Sequence, residues 1–175
     1  LTQHTRTTNQ MNETQKNTCK KMTNWFWFKL YALGKLPLPL FTGIKITELN
    51  EEKCVTSVKY KWLNKNPFRS TYWAVLGMAA ELSSGAYALL ATQGKSESVA
   101  VILVSTKAEF LKKATGTSTF TCMDWTKLET VANRAIESNE PQIVLCETVG
   151  IDDKGEPIAR FEFTWSFKKR EHAIT

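Results

Sequence analysis

One carboxylate stands alone in the longest apolar run of this chain. From Tyr72 to Thr92 the residues are apolar or small, none is proline, and the single charge is Glu81. A carboxylate in such surroundings loses its water, which is costly unless it is paired or kept protonated. Two readings follow: a structural ion pair, with Arg69 or a lysine from a facing strand, or a perturbed group poised as base or nucleophile. Other chemistry-bearing residue types narrow the field. The two histidines, His4 and His172, lie close to the ends of the sequence, which nearly excludes histidine-based catalysis inside the core. Cys19, Cys54, Cys122 and Cys146 are widely spaced, with no CxxC and no nearby histidine to complete a zinc site. No metal is expected, and the thiols read as core residues in a reducing compartment.

The element carrying Glu81 is predicted as a buried helix of about six turns, entered after Pro67, with Ser70 or Thr71 supplying the cap. Gly77, Glu81, Ser84, Gly85 and Ala88 recur at three- and four-residue steps, a small-residue stripe interrupted by the carboxylate. Something must pack very close to it. Ahead of the helix, Ile44–Leu49 and Cys54–Leu63 read as a hairpin. Beyond it come strand-like Val99–Phe110 and Thr117–Met123, then a helical Trp125–Ser138. A final hairpin joins Gln142–Gly150 to Pro157–Lys168 through Asp152-Asp153-Lys154-Gly155. An antiparallel sheet of five to six strands curled around one long helix fits that order, an α+β fold with an extra helix before the last hairpin.

Residues 1–24 are rich in Thr, Asn, Gln and Lys, the composition of a polar tail that cannot bury enough to order itself, and residues 25–175 are left as one domain. Trp25–Leu33 (WFWFKLYAL) reads as a short helix ending near Gly34 and Pro37, most simply a lid packed over a core; membrane-surface or nucleic-acid roles for its aromatics are the alternatives.

The net charge of +6 and pI of about 9.1 select no partner by themselves. Neither a recognised nucleic-acid motif nor a basic stripe is present, so no nucleic-acid partner is expected. The run around Glu81 is long enough to cross a bilayer, but its carboxylate, serines and glycines argue against a membrane span. No secretory leader opens the sequence, and a cytoplasmic location is expected.

Taken in order, Leu36-Pro37, Gly43-Ile44, Asn66, Ala80-Glu81, Phe110-Leu111-Lys112 and Phe163-Thr164-Trp165 resemble the hotdog-fold acyl-CoA thioesterases, most closely the phenylacetate-degradation type and a related, largely uncharacterised branch. The resemblance runs from about Leu36 to Ser166. It implies an Asn before the helix (Asn66), a helix-start peptide N–H as oxyanion donor (Trp73), and an acidic base or nucleophile further along (Glu81). Asn66 lies fifteen residues before Glu81 and Trp73 eight before it, both matching the family's spacing. The sequence departs at Tyr72-Trp73-Ala74, where that family commonly has His-Gly-Gly. A backbone N–H survives the change, while the indole narrows the substrate channel, alters acyl preference or marks a member that binds without hydrolysing.

The implied reaction is hydrolysis of an acyl thioester, acyl-CoA or acyl-carrier protein, with coenzyme A present only as part of the substrate and no separate cofactor. Trp73 and Glu81 are separated by about 12 Å along one helix, too far to converge on one carbonyl. The site must therefore pair Trp73 of one chain with Glu81 of another, so a homodimer is expected, with a dimer of dimers also open. Asn66 would orient the water or acyl group. Phe68, Tyr72, Trp73 and Ala74 would line the acyl pocket, with core packing the alternative for Phe68, and Lys112 and Lys113 would meet the phosphates of coenzyme A. A non-catalytic, acyl- or lipid-binding hotdog dimer is the second reading. A hotdog dehydratase would need a core histidine.

Overall fold

The computed structural model describes residues 10–171; His4 and His172 lie outside them. Six antiparallel strands form one sheet in the order β1-β2-β4-β5-β6-β3: β1 Lys45–Leu49, β2 Cys54–Lys59, β3 Val99–Phe110, β4 Thr117–Cys122, β5 Gln142–Ile151 and β6 Pro157–Lys169. The sheet curls around the long helix α4, Trp73–Ala91, and the helix α5, Trp125–Ser138, precedes the last hairpin. This is the hotdog architecture expected from the sequence. Strand alternation explains the wrapping: along β6, Phe161, Phe163, Trp165 and Phe167 point inward at every second position, while the intervening residues face outward.

Small residues let α4 sit deep in this sheet, close enough for strand side chains to bond helix groups. Thr56 Oγ1 donates to the Ala79 carbonyl at 2.6 Å, Thr148 and Ser83 hydroxyls meet at 3.0 Å, and Trp165 Nε1 donates to Ser84 Oγ at 3.2 Å. Those bonds fix the rotation of α4, and with it the direction in which Glu81 points. Although α4 is apolar enough by length and composition to cross a membrane, most of it is buried inside the fold.

The tail reading fails for the described part of residues 1–24. Glu13–Thr23 is a helix, α1, capped by Asn12, whose side chain accepts from the Gln15 N–H while Gln15 returns a bond to the Asn12 N–H. Met11, Gln15, Cys19 and Met22, at steps of four, four and three, form its buried face. Gln15 Nε2 donates to the Leu90 carbonyl and to Glu129, which also pairs with Lys95, so one buried amide ties α1 to the end of α4 and to α5. Low apolar content concealed the periodicity.

Trp25–Lys35 forms α2, as expected in position but not as a lid. Only Phe28 and Ala32 of α2 are buried. Past it, Pro37 does not end helical structure but opens another short helix, α3, Pro37–Thr42, where proline at the first position costs no hydrogen bond. The strand predicted to reach Leu63 stops at Lys59, and Trp62–Asn64 is a turn of 3₁₀-helix.

Candidate active site

The entry to α4 is built by a loop that Asn66 organises. Its Oδ1 accepts from the backbone N–H of Phe68 and of Ser70, and its Nδ2 donates to Ser70 Oγ at 3.0 Å and, at the limit of bonding, to the Thr71 carbonyl at 3.5 Å. Arg69 closes the turn in the left-handed region, φ 60°. Thr71 then donates its N–H to the Ala114 carbonyl, and Tyr72 donates its own to the Asn64 carbonyl, so both flanks of the loop are pinned.

The cap differs from expectation. Tyr72, not Ser70 or Thr71, is the residue before the first turn, and no side chain caps it. Among the described residues no acceptor meets the backbone N–H of Trp73 or Ala74. Uncapped donors at a helix start, reinforced by the helix dipole, are the arrangement that receives a carbonyl oxygen gaining negative charge.

A groove of about 350 Å³ opens at this helix start. Asn66, Trp73, Lys112 and Lys113, all singled out by sequence, line it together with Thr71, Leu76, Phe110 and Leu111. Thr71 was not anticipated: it is 3 % exposed and its hydroxyl is a buried polar group without a partner among the described residues. Nothing in its sequence context distinguishes it from a capping residue.

The expected roles divide on inspection. Lys112 is already paired with Asp152 at 2.6 Å, which holds the Asp152 carboxyl down at about 2. Among the described residues Lys113 reaches only the Phe68 carbonyl, at 3.5 Å, and is the freer of the two cations. Phe68 is 73 % exposed, which overturns core packing for it. Tyr72 and Ala74 also lie outside the groove lining, Tyr72 with its ring against that of Trp73 at 6.0 Å between centroids.

Glu81 is not in the groove. It lies two turns further along α4, half-buried, its carboxylate folded over Gly85 and beside the ring of Trp165. Among the described residues neither a cation nor a hydrogen-bond donor reaches that carboxylate, so the ion pair with Arg69 or a strand lysine does not form. Burial with no compensating charge pushes its carboxyl above the usual carboxylate range. Trp165 is the register partner of Leu103 on β3, the open edge of the sheet, so the carboxylate sits beside β6, one strand in from that edge.

No group of three or more His, Cys, Asp or Glu among the described residues could hold a metal ion, and the four cysteines are buried and free.

Residues 27–167 match the family described as a domain of unknown function, DUF4442. No curated protein matches the chain. Solved structures share its fold at low identity. A Pseudomonas aeruginosa protein described as a probable thioesterase is 17 % identical, with a TM-score of 0.71 over 86 % of this chain and 99 % of that one. A Chlorobaculum tepidum protein of unknown function is 15 % identical, with a TM-score of 0.73 over 89 % and 97 %. A thioesterase from Haemophilus influenzae is 14 % identical, with a TM-score of 0.61 over 83 % and 92 %.

Proposed function

The chain belongs to the DUF4442 family, and from that placement and its hotdog fold we propose that it hydrolyses acyl thioesters, of coenzyme A or of a carrier protein, at a site shared by two copies. The observation that carries this reading is the Glu81 carboxylate, half-buried in apolar surroundings with no cation among the described residues to satisfy it. A structural carboxylate would be paired, whereas a base or nucleophile is served by a raised pKa and an open approach. Two of the three structural neighbours named above are described as thioesterases, which supports the reaction class.

In the reaction, water adds to the thioester carbonyl carbon as Glu81 takes its proton, or Glu81 adds directly and water then cleaves the acyl-enzyme anhydride. Either route yields a carboxylate and a free thiol. The carbonyl oxygen, negative in the intermediate, is received by the Trp73 N–H of the second copy, since helix rise keeps the two groups of one chain about 12 Å apart. One hydrogen of the Asn66 amide, held only by its long contact to the Thr71 carbonyl, is available to the acyl oxygen or the water. Lys113 and the ion-paired Lys112, both in the groove lining, face the phosphates of coenzyme A, and Phe68, Tyr72 and Ala74, outside that lining, flank the acyl chain where it leaves the groove.

Dimerisation is supported by β3. It is a twelve-residue edge strand with Ile102 and Val104 exposed, and its free N–H and C=O groups suit antiparallel pairing with the same strand of another copy.

The test is free-thiol release from a panel of acyl-CoAs and carrier-bound thioesters, by the native chain and by Glu81→Gln in parallel. We expect turnover by the native chain and a loss of roughly 10²–10⁴-fold in the variant. Equal turnover would make Glu81 structural. No release from any thioester, with an acyl ligand retained, would instead fit the non-catalytic binder that the exposed indole of Trp73 would suit.

A further inference from the structure

The helix α2 turns its apolar side outward. Phe28 and Ala32 face the core, and by helical geometry Phe26, Leu30 and Leu33 fall on the opposite side. Phe26 is 67 % exposed and Leu30 57 %, and Trp25 and Trp27 of α2 and Phe41 of α3 are exposed as well. A soluble monomer rarely leaves so many large apolar side chains of one short segment open without a use.

The charges around this patch have one sign. Between Glu13 and Glu48 the sequence contains six lysines and no acidic residue. Lys21 borders Trp27, Leu30 and Tyr31; Lys45 borders Trp25; and Lys29 lies over the Trp25 ring, 4.0 Å from its centroid. Among the described residues none of Lys21, Lys29, Lys35 and Lys45 is ion-paired.

We propose that the α2–α3 face binds the surface of an anionic lipid bilayer, its Trp, Phe and Leu side chains entering the headgroup boundary while the surrounding lysines meet lipid phosphates. Amphipathic aromatic rings favour that boundary, and lysines near it add attraction to anionic headgroups. A second copy of the chain fits less well: a two-fold contact through this face would set lysines against lysines with no acidic residue to pair them. The length of α2, eleven residues, suits lying in the interface and is too short to span it.

Vesicle flotation of the full chain tests this, with phosphatidylcholine vesicles made with and without phosphatidylglycerol. The native chain is expected to float with the anionic vesicles, to bind neutral ones more weakly, and to be released by added salt. Phe26→Ala with Leu30→Ala, both at exposed helical positions that alanine keeps folded, is expected to lower the partition coefficient by about tenfold or more. Lys21→Ala with Lys29→Ala is expected to lower it by about tenfold on anionic vesicles and little on neutral ones. Failure of the native chain to float with either vesicle, or equal binding to both, would overturn the proposal. So would a native dimer, seen by sedimentation without vesicle binding, that the Phe26/Leu30 variant splits, because the face would then belong to a second copy.

Discussion

At the scale of single residues, the role proposed for Glu81 would link stability and activity through one proton. Burial raises its carboxyl with no opposing cation among the described residues, so the native state holds the proton more tightly than the unfolded chain does. The stability this confers is present below the unfolded-state pKa and is lost as pH rises through the higher native one. Urea midpoints of the native chain are therefore expected to fall, relative to those of Glu81→Gln, as pH climbs from the ordinary glutamate range through the native pKa. Above that window the variant should be the more stable chain. Activity runs the other way, because a base or nucleophile must be ionised: the acid limb of kcat/KM should lie above the ordinary carboxylate range. Parallel pH series of unfolding and of thiol release read both slopes, and a native chain whose stability rises with pH across that window would show a hidden cation partner. Residue identity and spacing made Glu81, Asn66 and Trp73 candidates in the sequence. Thr71 was not one, because an unpartnered hydroxyl is defined by what its neighbours leave undone, and one of those neighbours, Ala114, arrives from a distant part of the chain.

At the scale of elements, the small-residue stripe of α4 has two separable jobs, close packing and room for the carboxylate. Gly85 serves the second. A Cβ there would stand 2.7 Å from Glu81 Oε1 but at an ordinary 3.5 Å from the Trp165 ring, so the flexible carboxylate must move while the sheet need not. Alanine also favours a helix interior over glycine by roughly 0.5–1 kcal/mol. Gly85→Ala is thus expected to hold or raise the urea midpoint while cutting thiol release, a split that a merely structural glycine would not produce. Gly150 is the contrast. A Cβ at that position would meet the buried Phe120 ring at 2.3 Å, and alanine there should cost stability instead. The stripe and the alternation of the strands were legible because each is a local period, and the sheet followed from them. The helix α1 escaped because its inward face mixes Gln15 with Met11, Cys19 and Met22, and a buried glutamine reads as polar until its partners Leu90 and Glu129 are known. The outward face of α2 stood only as the alternative to a lid for the opposite reason: apolar residues are assumed to be inside, and only the fold shows which side of a helix is already full.

At the scale of the whole molecule, separation along α4 turns a catalytic question into one of assembly. Trp73 begins the helix and Glu81 lies more than two turns on, so a shared site must take one group from each of two chains. Each group can be removed without the other. Glu81→Gln deletes the carboxylate, and Trp73→Pro deletes the helix-start N–H at the position where proline fits a helix best. Each variant alone should form inactive homodimers. Mixed and allowed to exchange, they generate hybrids in which the Trp73→Pro chain brings Glu81 and the Glu81→Gln chain brings the Trp73 N–H, restoring one of the hybrid's two sites. With random pairing, half the dimers are hybrids, and recovered thiol release should approach about a quarter of the native value. Proline also removes the Trp73 indole, so Trp73→Ala must retain turnover for loss in Trp73→Pro to be assigned to the N–H. Recovery on mixing requires exchange between two open β3 edges, and a charge placed there, Ile102→Lys, should abolish native turnover and dimerisation together. If the mixture stays silent although hybrids form by mass, both groups act within one chain, and α4 would have to be broken between Trp73 and Glu81 for them to meet.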